Sequence, residues 1–436
     1  MQPISTMYLN QFFTFLSINL YIMYDLIIVG GGISGLFLYY KLLNNGKKIL
    51  LLEKNELFGG RILQCEEVIN GHEYSFPKGG ARFNLNHTEV IKLLKELKLL
   101  DFRKDKGQNA YVDFVDSKNE FSKKFNDKSG FDYITKILDK AKHDDTIYLK
   151  NCTFQEYAKK HLKNDELKYM LVASGYSGQL KNMNMYDAYH LFSKGIRPDL
   201  TYYSGYYHKM IDKLVNVIKE SNGVLKNNSN VKSIQYDNTN EIYSVNVNDK
   251  EIKGTKIALC LPKNALLKIP LLKPIHSVLE KSISCKPLCR VYALFKKEDI
   301  WFNDLTTKVI TNNPLRFIIP MDRENGLIMI SYTDDEYTKY WNSMKTKKEV
   351  KDAIVKNVKL TFKKEINAPE KVWVFNWDCG VGYWNKGIDS NKVANRITNP
   401  CKNLYICGEN YSLTQSWVEG SLESCNRCLK HLVSKI

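Results

Sequence analysis

The run Gly30-Gly31-Gly32-Ile33-Ser34-Gly35 constrains this chain more than any other feature, because of what stands on either side of it. Before it comes Asp25-Leu-Ile-Ile-Val29, a short apolar, β-branched run of the kind that forms a strand buried on both faces. After it, Leu36 to Asn45 carries apolar residues at helical spacing and closes on Gly46. Strand, glycine turn and helix in that order predict a βα unit of a parallel sheet. Gly30 permits the tight turn, Gly32 lets a pyrophosphate approach the backbone, and Gly35 lets helix pack on strand. Ser34 falls in the helix's first turn, where free N–H groups and a positive partial charge favour phosphate. A second apolar run, Lys48-Ile-Leu-Leu-Leu52, ends in Glu53, where a carboxylate can accept from the ribose hydroxyls of an adenosine. NAD and FAD both fit this far.

The next segment separates them. Glu53-Lys-Asn-Glu-Leu-Phe-Gly59-Gly60-Arg61 resembles the extended fingerprint of the flavin monoamine oxidase and L-amino-acid oxidase family, in which a Gly-Gly-Arg closes on the pyrophosphate. Arginine suits a diphosphate because its planar fork donates in pairs and stays charged. Gly79-Gly80-Ala81-Arg82 resembles the family's small-residue segment that passes the isoalloxazine. The arginine ending it grips the substrate carboxylate in amino-acid oxidases, so the resemblance implies that role for Arg82. Near the far end, Asn403-Leu-Tyr-Ile-Cys407, then Gly408-Glu409, and later Trp417-Val418-Glu419-Gly420 resemble the family's C-terminal element. Glu409 is then expected to accept from cofactor hydroxyls, and the backbone N–H near Val418 to face the flavin pyrimidine ring. Asn228 to Tyr236 resembles the strand whose Val231 backbone meets adenine.

The resemblance implies a discontinuous, Rossmann-like α/β FAD-binding domain from 23–90, 200–285 and 388–436. An α+β substrate-binding domain is inserted as 91–199 and 286–387, and residues 1–22 form an extension. In the first insert, Val90 to Leu100 is apolar at helical spacing, whereas Lys104 to Asn151 is polar and reads as surface. In the second, Arg290–Phe295, Phe317–Pro320, Leu327–Ser331 and Val372–Phe375 read as strands.

The implied reaction is oxidative deamination of an amine or amino acid by hydride transfer to flavin N5, with O2 as acceptor. Trp377-Asp-Cys379-Gly-Val-Gly382-Tyr383-Trp384 resembles the segment whose aromatic ring faces the flavin, and Trp384 is read as that ring, with Trp417 as a second candidate and Tyr383 beside the substrate. Monoamine oxidases attach FAD through a Cys in this segment; Tyr383 stands at the matching position, so non-covalent FAD is expected. Arg290 falls where most family oxidases carry a lysine that holds a water against N5. Arginine keeps the charge but is forked and effectively never deprotonated. Polyamine oxidase or lysine demethylase-like activity, a redox-neutral flavin isomerase and an inactive FAD-binding structural protein are the competing readings.

Composition bears on partners. The chain of 436 residues carries a net charge of +17, but its Lys residues are dispersed, and clustering is the signature of a nucleic-acid surface. No nucleic acid and no membrane span are expected; a homodimer is compatible. Ten Cys show no ladder of spacings, and Cys425-Asn-Arg-Cys428 has no second pair at zinc spacing, so no metal and a cytoplasmic or other reducing compartment are expected.

Overall fold

A computed structural model describes residues 23–99, 108–109, 112–121, 125, 129–195 and 200–433. Its centre is a parallel sheet of five short strands in the order 224–226, 49–52, 26–29, 257–259 and 404–406. Ile27, Ile28, Leu50, Leu51, Ala258, Leu259 and Ile406 are fully buried, as strands covered on both faces require. Val29 lies beside both Leu52 and Leu259, so three strand ends align where the glycine turn begins. The helix Ile33–Lys41 packs in one core with helices Tyr207–Glu220 and Val418–Val433. Val90, Leu93 and Leu94 of the expected stripe, on helix Thr88–Glu96, complete that core.

A second sheet holds six strands in the order 371–384, 283–294, 327–334, 317–322, 308–311 and 112–115. The four strand-like runs of the second insert all lie in it. Helices between 130 and 195 form a separate apolar cluster around Phe154, Tyr157, Met170 and Phe192, which Val381 and Tyr383 of the second sheet join. The result is a mixed α/β fold with a parallel sheet, as expected.

One expectation is corrected. Gly130–Ala141 and Thr146–Lys150 are helices within the stretch read as polar surface. A buried stripe of Tyr133, Ile134, Ile137 and Leu138 hides among Lys and Asp there, and a Ser129–Asp132 capping box starts the helix. Expectations for residues 1–22 and for part of 104–128 lie outside the described residues. Cys285 and Cys379, with Cα atoms 5.1 Å apart, are paired as a disulfide. An irregular register between Lys286 and Leu288 bulges the facing strand at Asp378–Gly380 and carries Cys379 to its partner. Among the described residues no helix is long and apolar enough to cross a membrane, and no group of three or more His, Cys, Asp or Glu could hold a metal ion.

Candidate active site

At the ends of the parallel strands the site is made of main chain. Gly30 has φ +109°, and a Cβ on it would lie 2.5 Å from the Cys260 carbonyl oxygen. A Cβ on Gly35 would lie 2.0 Å from the Gly30 oxygen. No other residue fits either place. At Gly32, which begins the helix without a side-chain cap, a Cβ would meet nothing nearer than 3.9 Å. That open approach, with uncapped N–H groups behind it, is what a pyrophosphate needs. Glu53 is buried beside the turn; its Oε2 accepts from Gly31 N at 2.8 Å and its Oε1 from Asn55 N at 2.9 Å, leaving lone pairs for ribose hydroxyls. Ser229 N donates to the Glu53 carbonyl oxygen at 2.8 Å, which sets Val231 and its strand next to that acid.

Arg61 and Glu409, 348 residues apart in sequence, meet as an ion pair at 2.7 Å. Arg61 Nη1 also donates to the carbonyl oxygens of Gly380 at 2.9 Å and Cys379 at 3.3 Å. Glu409 accepts from three further donors. Oε1 accepts from Ser416 N at 2.6 Å and Gly382 N at 3.0 Å, and Oε2 from Asn410 Nδ2 at 2.7 Å besides Arg61. Through these four donors Glu409 ties the Gly60-Arg61 segment, the second sheet and the turn before the last helix together. The fingerprint residues Gly60 and Gly408 flank this junction.

Against the second sheet lies a cavity of about 150 Å³. Gly80, Ala81, Arg82, Arg290, Tyr383, Trp417 and Val418 all line it, which brings together residues read from four separate motifs, and Gly79 adjoins them. Val418 opens the helix Val418–Val433, so that helix begins at the cavity wall. Trp384 is the exception. Neighbouring residues of a strand face opposite ways, so with Tyr383 in the wall Trp384 turns into the core, where its Nε1 donates to the Ser412 carbonyl oxygen at 2.8 Å. Tyr383 takes the position expected of Trp384.

Sequence reading missed Tyr176, Lys308, Tyr332 and Asp334 in the same wall. They come from different strands and a loop, with no local spacing that links them. The charges are uneven. Arg82 makes no ion pair among the described residues; its guanidinium lies 5.5 Å from the Tyr202 ring centre. Arg290 is buried over the Tyr332 ring at 4.5 Å and reaches Tyr292 Oη and the Pro77 carbonyl oxygen, both at 3.4 Å. Burial, with Arg82 adding repulsion, lowers Lys308 to about 8, and burial raises Asp334 to about 6.

The profile of a family described as flavin containing amine oxidoreductase matches residues 33–428. The chain belongs to this family. It is an FAD-dependent oxidoreductase, and the open turn at Gly32, Glu53 and the Arg61 junction fit that cofactor. It is 30% identical over 122 residues to a probable flavin-containing monoamine oxidase A of Dictyostelium discoideum, a match spanning 26% of each chain. Uncharacterized protein R188 of Acanthamoeba polyphaga mimivirus is 24% identical over an alignment covering 93% of both. Cyclohexylamine oxidase from Brevibacterium oxydans shares the fold, with a TM-score of 0.72 at 15% identity over 95% of this chain and 99% of that one. A redesigned putrescine oxidase does so with a TM-score of 0.73 at 14% identity, over 94% and 99%.

Proposed function

We propose that this protein oxidises the amine of an α-amino acid, with O2 as the electron acceptor. The observation that carries the reading is Arg82: a guanidinium without an ion pair among the described residues, on the wall of a cavity rich in aromatic rings beside the glycine segment. A carboxylate there gains a bidentate, charge-assisted pair in a dry setting.

Several residues would hold FAD: the Gly32 turn and its helix, Glu53, the Arg61 junction, the Gly79–Arg82 segment and the amide of Val418. When bound, FAD supplies the acceptor for the hydride leaving the amine-bearing carbon. No covalent link is expected, since Tyr383 stands at the linking position and Cys379 is bonded to Cys285. The chain's own work is positioning. Arg82 fixes the carboxylate, and that fixes the direction of the Cα–H bond. Tyr383 and Trp417 close the sides against water, and the indole Nε1 of Trp417, which has no hydrogen-bond partner among the described residues, remains free to donate. Arg290 keeps a permanent positive charge in the wall, where it stabilises negative charge formed during turnover. A polyamine is disfavoured as substrate, because among the described lining residues Arg82, Arg290 and Lys308 stand against one carboxylate, that of Asp334.

Anaerobic bleaching of the flavin against paired panels of amino acids and their decarboxylated amines tests the reading. Bleaching by amino acids is expected. Bleaching by the amines alone overturns it.

A further inference from the structure

Asp334 ends the strand Leu327–Asp334 and is 1% exposed, yet half of its carboxylate is idle. Oδ2 accepts from Gly178 N at 2.7 Å, while Oδ1 has no hydrogen-bond partner among the described residues, and the side chain lines the cavity. An ionised oxygen buried without a donor is costly to a fold, so a donor supplied by a ligand would be strongly favoured.

The protein's own cations do not fill the place. Arg316 lies within electrostatic reach of Asp334, but its Nη1 and Nη2 donate to the carbonyl oxygens of Thr311 at 2.7 Å and Val172 at 2.9 Å. Lys286 is engaged by the neighbouring Asp335 at 3.3 Å. Arg290 is one register step away, opposite Tyr332 where Leu288 is opposite Asp334, but its guanidinium turns toward Tyr292 and Pro77. Arg82 stands on another wall, the strand Arg82–Asn84. The Tyr176 hydroxyl, which burial pushes far above the ordinary phenol range, senses Arg82, Arg290 and Asp334 together, so one chamber holds a cationic and an anionic pole.

We propose that Asp334 is a specificity-determining residue that receives the cationic end of the substrate side chain, so that the preferred substrates are α-amino acids ending in an ammonium or guanidinium group. The proposal rests on the reading of Arg82 as the carboxylate clamp. A zwitterionic head at Arg82 and a distal cation at Asp334 satisfy both poles. A neutral side chain of the same length leaves Oδ1 unpaired, the situation in which polar sites discriminate most sharply.

The test compares lysine with norleucine, and arginine with methionine, on the wild-type holoenzyme and on Asp334→Asn, which retains an acceptor for Gly178 N. Wild type is expected to favour lysine over norleucine by at least about tenfold in kcat/KM, and Asp334→Asn to shrink that preference by about 10- to 100-fold, mainly through KM. Oxygen-free thermal shifts give a readout apart from turnover: lysine should stabilise the wild-type holoenzyme more than norleucine does. Equal loss for both substrates in Asp334→Asn overturns the proposal and leaves Asp334 as a cap for the segment at Gly178. Should the variant not fold, the wild-type ratio decides alone, since norleucine equal to or better than lysine also overturns it. Failure of the wider reading looks different, for then no amino acid of either kind bleaches the flavin.

Discussion

At the parallel sheet, recognition is built from main chain: Gly30 and Gly35 exist because a Cβ has no room, and the open turn at Gly32 presents N–H groups. Across the cavity, the second sheet and the helical cluster contribute side chains, Tyr176, Arg290, Lys308, Tyr332 and Asp334. The contrast teaches where this chain can vary. Changing a glycine on the first side breaks geometry, whereas changing a wall residue on the second alters what is bound and leaves the frame standing.

Four substitutions and one titration can break or sharpen that contrast. Gly30→Val should have the largest effect: protein recovered without flavin, or not recovered, judged by the ratio of flavin to protein absorbance; normal flavin content would remove the geometric argument. Glu409→Ala, which strands four donors, should cost about 2–4 kcal/mol in urea unfolding of the holoenzyme. Arg82→Leu should lower kcat/KM for amino acids by roughly 10- to 150-fold while sparing the matching amines, and an equal loss for both would return Arg82 to structure. Trp384→Phe should cost about 1–2 kcal/mol of stability, through lost packing and the lost bond to Ser412, without changing the preference for amino acids over amines. A changed preference would put Trp384 back in the wall. The smallest effect is on pH. Burial raises Asp334 to about 6, against the pull of Gly178 N and Arg316 and with Asp335 pushing the same way. Its charge, and with it the preference for cationic side chains, should fall by about twofold as pH drops from 7 to 6. A ratio flat across that interval would assign the titration elsewhere.

What could be read from sequence follows the same division. Gly30, Gly35, Glu53 and Arg61 sit at spacings set by a strand and a turn, so local pattern locates them. The motif locates Glu409 but not its donors, because Arg61, Gly382, Asn410 and Ser416 are distant in the chain or across a turn. Trp384 was misplaced by one residue, and in a strand one residue exchanges wall for core. Asp334 left no local signal at all, since its meaning arises from Gly178 on one side and an idle oxygen on the other. The helix Gly130–Ala141 is hidden by its solvent face, whose Lys and Asp alternate with the four residues that anchor it.

The order of strands in the parallel sheet also has a consequence for synthesis. Its edge strand, Leu404–Ile406, pairs with Ile257–Leu259, and the Glu409 that locks onto Arg61 follows directly behind. While the ribosome is still making the second sheet, Ile257–Leu259 therefore has a bare apolar edge, and the cofactor cradle lacks a wall. Retention of the flavin becomes a late event, a seal applied after both sheets exist, and a nascent chain stalled before residue 404 offers a sticky edge and an incomplete cradle for the dinucleotide.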